Sequence, residues 1–203
     1  MNKILVLIKK DISFNLLIYL GIYLVTSLLI LAAALGFDGS EATDTLNYLV
    51  YTCCASIIIV PFSYNIEDDF STRKFIYTLP VSMEELLKAK LLLGAIVSLI
   101  LSGTAWLIFT ALGKGVLFRC VLIPVMLSII MASFFMLAFY KWDMNMARLV
   151  AVTPIVLFAF SAKMLEKLNI AGDLFSMKML LITFVIVLVV AILLQRITLK
   201  LVK

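Results

Sequence analysis

The residues most suited to chemistry lie in one short polar segment of an otherwise apolar chain. Glu67, Asp68 and Asp69 are consecutive acidic residues, and Arg73 and Lys74 follow them closely. Carboxylate oxygens are the ligands that magnesium and calcium prefer, so the acidic run is a candidate metal site. On a helix, however, consecutive side chains point about 100° apart, and these three cannot converge on one ion unaided. The segment therefore favours a charged contact surface over a metal site.

Residue types that support catalysis are scarce elsewhere. The sequence contains no histidine, and Cys53, Cys54 and Cys120 all lie in apolar runs, where small packing residues are expected. A phosphate-binding loop would have the pattern G-x-x-x-x-G-K-[ST], and Gly-Lys-Gly at 113–115 lacks that spacing. We therefore predict no enzyme activity in this chain. If ATP is used, a separate polypeptide binds it.

The elements that carry these residues are predicted to be membrane helices. Of the 203 residues, 65% are hydrophobic and 14% are charged, whereas soluble domains average about 45–50% and 25%. Apolar runs of ~20 residues recur, each long enough to cross ~30 Å of hydrocarbon, and they lack the alternation of a β-barrel. Lipid offers no hydrogen bonds to the backbone, so the spans must be helical. The predicted fold class is all-α, a polytopic membrane protein with one transmembrane domain over residues 1–203.

Six spans are predicted. A crossing needs ~20 apolar residues. The apolar runs that approach this length lie at about residues 15–36, 47–64, 89–112, 119–140, 149–163 and 178–195. The fifth is short for a crossing, so a re-entrant segment is the alternative there. No acidic or basic residue falls in the middle of any span, which disfavours a carrier driven by a proton or ion gradient.

Residues 1–14 are predicted to form a separate interfacial helix before the first span. On a helical projection the polar and basic side chains share one arc and most aliphatic side chains share the other, while Val6 and Asp11 depart from the pattern. Such a helix suits the surface of an anionic membrane. In the six-span arrangement, 12 of the 17 basic residues lie on the side of the amino terminus. This distribution predicts a cytoplasmic amino terminus.

A helix start is encoded just after the charged segment. Ser82 is a preferred N-cap, and Glu85 three residues later completes a capping box. Val81 and Leu86 occupy the positions of a hydrophobic staple. Pro80 prevents a helix from continuing into this start from upstream. A break followed by a new helix is therefore predicted.

The segment 65–81 is predicted to be a short helical element on the cytoplasmic side, between spans two and three. Phe70 and Tyr77 recur at helical spacing there, and the segment is much longer than a simple connection requires. A solvated loop whose charges only set topology is the alternative. Downstream, Lys88 and Lys90 are predicted to mark where the third span leaves the cytoplasm.

Small residues follow one another along the third span. Gly94, Ser98 and Ser102 are spaced by four residues, which produces a ridge that another helix can approach closely. Packing within the subunit is the expected use, and a subunit interface is the alternative. Six helices without a polar lining are a poor conduit, so we expect two copies, or one copy and a related chain, to enclose the pathway.

The charged segment and the helix start together resemble a known family. Residues 62–93 read FSYNIEDDFSTRKFIYTLPVSMEELLKAKLLL. They are similar to the region after the second span of bacterial ABC-2-type permeases, where an acidic stretch, a short cytoplasmic helix, an LPVS break and a lysine before the third span recur. The small size and six spans resemble the compact branch of that family, which includes exporters of bacteriocins, lantibiotics and phenol-soluble modulins.

The resemblance implies a multi-pass subunit of the bacterial cell membrane that exports a peptide or another amphipathic cargo. It also implies a separate ABC ATPase subunit that holds ATP and Mg, and a second permease copy or paralogue. Membrane lipid is the other expected partner, and no nucleic acid is expected. The segment 65–81 would be the coupling element. The residues implied to contact the ATPase are Glu67, Asp68, Asp69, Phe70, Arg73, Lys74 and Tyr77.

Two other functions stay open on the sequence alone. A non-transporting immunity or sensor component could use the same loop to bind a partner. An ion-coupled carrier or channel is the third alternative. Dependence on an ATPase distinguishes the first interpretation from the third.

Overall fold

The computed structural model describes residues 3–36, 41–62, 64, 81–142, 144–153 and 177–202. These ranges are mainly helical, and five of the helices are long and apolar enough to cross a membrane. The chain is an all-α polytopic membrane protein, which confirms the predicted fold class. Of the predicted span 149–163, the structure describes only residues 149–153, which are helical. The rest of this predicted span lies outside the described residues.

The helices are numbered along the chain. They are α1 (Lys3–Gly36), α2 (Glu41–Phe62), α3 (Met83–Ala111), α4 (Leu122–Lys141), α5 (144–153) and α6 (Met177–Val202). A 3₁₀ turn over Phe118–Val121 leads into α4.

The predicted helix start is confirmed at α3. The backbone N–H of Glu85 donates to Oγ of Ser82 at 3.2 Å, and the backbone N–H of Ser82 donates to Oε2 of Glu85 at 2.9 Å. These two reciprocal bonds form a capping box. The start of α3 is thus set by local hydrogen bonds that its own sequence supplies.

α1 differs from the prediction because it is one unbroken helix. No boundary is present between residues 14 and 15, and neither proline nor glycine occurs between Lys3 and Ile18 to create one. A helix of this length extends ~50 Å, more than the ~30 Å of hydrocarbon in a bilayer. Part of α1 therefore projects beyond the hydrocarbon, or the helix tilts. The placement of residues 1–14 at the membrane surface stays a prediction.

α1 and α3 run in the same direction. Leu7 and Ile8 near the start of α1 pack with Leu86 near the start of α3. Ile30 near the end of α1 shares a buried cluster with Phe109 near the end of α3. Both helices therefore begin at the same end of the bundle.

α4 is the central helix, and it packs against α2, α3 and α6. Val125 near its start shares a buried cluster with Leu180 near the start of α6, whereas Leu199 near the end of α6 packs on the cluster that contains Phe139. α4 and α6 are therefore parallel. Because Phe139 also clusters with Leu87, the end of α4 lies beside the start of α3.

One end of the bundle thus holds the starts of α1 and α3 together with the ends of α2, α4 and α6. Most basic residues of the described ranges lie at this end, and we refer to it as the basic end. These residues are Lys3, Lys9, Lys10, Lys88, Lys90, Lys141, Arg148, Arg196 and Lys200. Lys114, Arg119 and Lys178 lie at the opposite end. The outer sides of α1 and α6 are lined by exposed aliphatic side chains.

Candidate functional site

The residues predicted to contact an ATPase lie outside the part of the chain that the structure describes. These residues are Glu67, Asp68, Asp69, Phe70, Arg73, Lys74 and Tyr77. The described residues on either side of them, Tyr64 and Val81, bracket the segment at the basic end.

Tyr64 anchors the chain where it leaves α2. Its side chain is buried, and its ring centroid lies 4.9 Å from that of Phe135 and 5.4 Å from that of Phe139, both on α4. Its backbone N–H donates to the carbonyl of Pro61 at 3.1 Å, which closes a turn at the end of the helix. Aromatic pairs at such distances stabilise a contact beyond simple burial. The chain is thus held against α4 at Tyr64, the last described residue before the segment 65–81.

A buried ion pair lies directly beside Tyr64. Nζ of Lys90 on α3 lies 2.9 Å from Oδ2 of Asp11 on α1, and the two side chains are 0% and 1% exposed. Nζ of Lys90 also lies 5.0 Å from the centroid of the Tyr64 ring, within the range of a cation–π contact. These contacts join α1, α3 and the end of α2 at one point.

The position of Lys90 corrects the prediction that it marks the exit of the third span from the cytoplasm. Its ammonium group faces the protein interior because Asp11 provides the charge that makes its burial tolerable. Lys88, two residues earlier, does face outward, where its Nζ lies 2.6 Å from Oε1 of Glu84. Only one of the two predicted boundary lysines is therefore at the surface.

Lys10 completes the surroundings of the Asp11 carboxylate. Its Nζ lies 3.3 Å from Oδ1 of Asp11, and its side chain is 23% exposed. The two ammonium groups form ion pairs with this carboxylate, and no donor in the described ranges hydrogen-bonds to it. Asn15 stays within its own helix, since its Nδ2 donates to the backbone carbonyl of Asp11 at 3.2 Å. We call Lys10, Asp11, Tyr64 and Lys90 the basic-end network.

Replacing only one of the two charged partners, Asp11 or Lys90, should destabilise the protein strongly. Removing one partner of a buried ion pair typically costs about 3–5 kcal/mol, because the remaining charge loses its nearest opposite charge. The sequence contained one sign of the ion pair, because Asp11 breaks the amphipathic pattern of residues 1–14. Its partner lies 79 positions away in the chain, at Lys90, and no local pattern connects the two.

The predicted small-residue ridge faces α2 of the same chain at two of its three positions. Oγ of Ser98 lies 2.7 Å from Oγ of Ser56, and the hydroxyl of Tyr48 donates to the backbone carbonyl of Ser102 at 2.9 Å. Gly94 is buried, but a Cβ added there would meet no described atom within 4 Å. Ser98 therefore contacts α2 through its side chain and Ser102 through its backbone, whereas Gly94 has space for a side chain.

The end opposite the basic end has a separate polar contact. Nζ of Lys114 lies 3.8 Å from Oδ1 of Asp44, which links the loop after α3 to the start of α2. Nε1 of Trp106 donates to the carbonyl of Val116 at 2.9 Å and secures the same loop. Among the described residues, no group of three or more histidine, cysteine or acidic side chains is placed to hold a metal ion.

A family model described as "ABC-2 family transporter protein" matches residues 6–200, which is almost the whole chain. The chain belongs to the ABC-2 transporter family. The resemblance found in residues 62–93 is thereby confirmed at the level of the family. No curated protein and no solved structure matches the chain.

As a member of the ABC-2 family, the chain is a permease of an ABC transporter and a multi-pass membrane protein. Members of this family form the membrane component of the transporter and not its catalytic component, so the family implies an ABC ATPase partner. In this ABC-2 permease the basic-end network includes Tyr64, the last described residue before the segment 65–81, which the resemblance implied to be the contact for that partner.

Proposed function

We propose that this ABC-2 permease is the membrane subunit of an exporter that moves a peptide or another amphipathic cargo out of the cell. A separate ABC ATPase subunit, which binds ATP and Mg, would supply the energy. The observation that carries the proposal is the family match over residues 6–200, in a chain whose one densely charged segment is bracketed at the basic end. Contact with an ATPase would explain why so much charge is placed on a single connection.

The segment 65–81 is the proposed coupling element, with Glu67 to Lys74 seated in a groove of the ATPase. Mixed charges would orient such a contact, and Phe70 and Tyr77 would anchor it. Its two flanks support this role. Tyr64 is packed against α4, and the capping box of Ser82 fixes the start of α3. Because both flanks are held in place, movement of the segment would be transmitted to α2 and α3.

The proposed topology has six crossings, with both termini in the cytoplasm. The end of α4 and the start of α6 lie at opposite ends of the bundle, so the chain between Lys141 and Met177 must return from one end to the other. That return is the sixth crossing. The basic end would face the cytoplasm, because basic residues are retained on that side of the cell membrane.

The proposed working unit contains two permeases, either two copies or one copy and a paralogue. Within the described ranges, the space between α2, α3 and α4 is filled by packed side chains such as Tyr48, Ser98 and Phe135. A route for cargo would therefore form between subunits. The described spans carry no ionisable residue in their central parts, which supports an apolar or amphipathic cargo over an ionic one.

Purification of the full-length permease from native membranes tests the proposal. We expect an ABC ATPase to co-purify, and ATP hydrolysis by the reconstituted complex to drive export of cargo. An ATPase variant that lacks its Walker-A lysine serves as the control and should abolish export. Export driven by an ion gradient alone, or activity without any ATPase, would overturn the proposal. Protection of cells without any export would indicate an immunity component instead.

A further inference from the structure

Each charge of the buried ion pair has a second neighbour that can compensate it. Oδ1 of Asp11 lies 3.3 Å from Nζ of Lys10, and Nζ of Lys90 lies 5.0 Å from the centroid of the Tyr64 ring. If α1 and α3 separated at this point, Asp11 would keep one cation and Lys90 would keep one aromatic face. Neither charge would be left alone in a low-dielectric interior, which is the costly outcome for a buried ion.

Stabilising the contact between α1 and α3 is not a sufficient explanation for a buried ion pair at this position. Replacing a buried ion pair by apolar side chains of similar size is often neutral or stabilises the protein by 1–4 kcal/mol. The surroundings of the pair would accept such side chains, since Leu7, Ile8, Leu86, Ala89 and Leu93 form a buried apolar cluster between the same two helices. An ion pair with alternative partners is suited instead to a contact that opens and closes between defined arrangements.

The ion pair connects α1 to α3 and to the end of α2. These last two helices flank the charged segment, whereas α1 does not. In the sequence, α2 precedes the segment 65–81 and α3 follows it, whereas α1 is adjacent to neither end of the segment. Through Lys90, Asp11 contacts α3, and Lys90 lies against Tyr64, the last described residue before the segment. Movement of Tyr64 or of α3 would therefore change the geometry at Asp11 directly.

We propose that the Asp11–Lys90 contact opens and closes during transport and transmits movement of the segment 65–81 to α1. Lys10 and the Tyr64 ring compensate the separated charges while the contact is open. The inference rests on the proposed function, because it assigns a step within an ATP-driven cycle. Asp11 and Lys90 act here as positioning residues, since neither is placed in contact with cargo or nucleotide.

The double variant Asp11→Leu/Lys90→Met separates adhesion from transmission. We expect it to insert, bind the ATPase and show a melting temperature equal to or above that of the parent protein, because its pair is replaced by apolar side chains. We expect cargo exported per ATP hydrolysed to fall about tenfold, within the range that coupling residues produce. The control is Glu84→Leu/Lys88→Met, which removes the exposed pair on the same helix and should leave this ratio unchanged.

A cross-linking experiment tests the opening itself and does not depend on the stability of the apolar variant. Asp11→Cys/Lys90→Cys is prepared with the native cysteines replaced by alanine and is joined by a short bis-methanethiosulfonate reagent, which forms a disulfide with each cysteine and releases methanesulfinate. Because this variant also lacks the ion pair, we expect weak export before cross-linking, none after it, and the same weak export after reduction. Export that cross-linking leaves unchanged, or a parent ratio of cargo to ATP in the apolar double variant, would overturn the inference. Failure of the parent complex to export with ATP would instead reject the proposed function.

Discussion

The side-chain oxygens of Ser56 on α2 and Ser98 on α3 lie 2.7 Å apart in the buried interior of the bundle. Oγ of Ser56 donates to the backbone carbonyl of Thr52 at 2.7 Å, which leaves Ser98 as the donor between the two serines. A second contact, from the hydroxyl of Tyr48 to the carbonyl of Ser102, lies one helical turn further along α3. Polar contacts thus hold α2 and α3 together along the ridge of small residues.

A double-mutant cycle with Ser56→Ala and Ser98→Ala should show a favourable coupling of about 0.6 kcal/mol, the average for hydrogen bonds between membrane helices. Unfolding in a mixed-detergent titration measures the stability of the parent protein and the three variants. The control cycle pairs Ser56→Ala with Thr104→Ala, whose hydroxyl bonds to carbonyls of its own helix, and should show no coupling. Equal coupling in both cycles would contradict the contact.

Ser82→Ala should destabilise the permease by about 1 kcal/mol, because the first turn of α3 loses the acceptor for the N–H of Glu85. Ser82→Asp is the matched control, since aspartate is an equally good N-cap and should preserve stability. Thermal unfolding in detergent compares the three proteins. If the alanine and aspartate variants were equally stable, the capping box would have no role in fixing α3.

Cysteine labelling should place the basic end in the cytoplasm. Once the native cysteines are replaced by alanine, Gly115→Cys introduces a thiol at the opposite end and Asn145→Cys introduces one at the basic end, at exposed positions. A membrane-impermeant maleimide should label position 115 in intact cells and position 145 only after permeabilisation. The reverse pattern would contradict the proposed orientation and would place the segment 65–81 outside the cell.

Reversing both charges in Asp69→Arg/Arg73→Asp should reduce export about tenfold while ATP hydrolysis continues, because the charges that orient the segment on the ATPase would be exchanged. Membrane insertion should be unchanged, since the composition of the segment is the same. Export and hydrolysis are measured together on reconstituted complexes.

The matched control for that reversal is Glu84→Lys/Lys88→Glu, which exchanges an exposed pair on α3 and should export normally. Undiminished export by the double variant at 69 and 73 would remove the segment from the coupling pathway.

Local features were predictable from the sequence, and long-range ones were not. The capping box at Ser82 and Glu85 involves residues three positions apart, so its geometry is contained in a single turn of chain. The continuity of α1 was missed because an amphipathic pattern over residues 1–14 describes which face is polar and says nothing about whether the helix ends. The burial of Lys90 was missed because a lysine near the end of a span usually extends to the membrane surface.

The sequence by itself determined that this chain is a bundle of membrane helices with one charged connection, since lipid demands apolar runs and internally bonded backbone whatever the tertiary arrangement. The tertiary structure decided which faces of those helices meet. In a membrane, the helix faces that pack against other helices and the faces that contact lipid are equally apolar, so hydrophobicity does not distinguish them. The pairing of Asp11 with Lys90, and of Ser56 with Ser98, follows from that choice of faces.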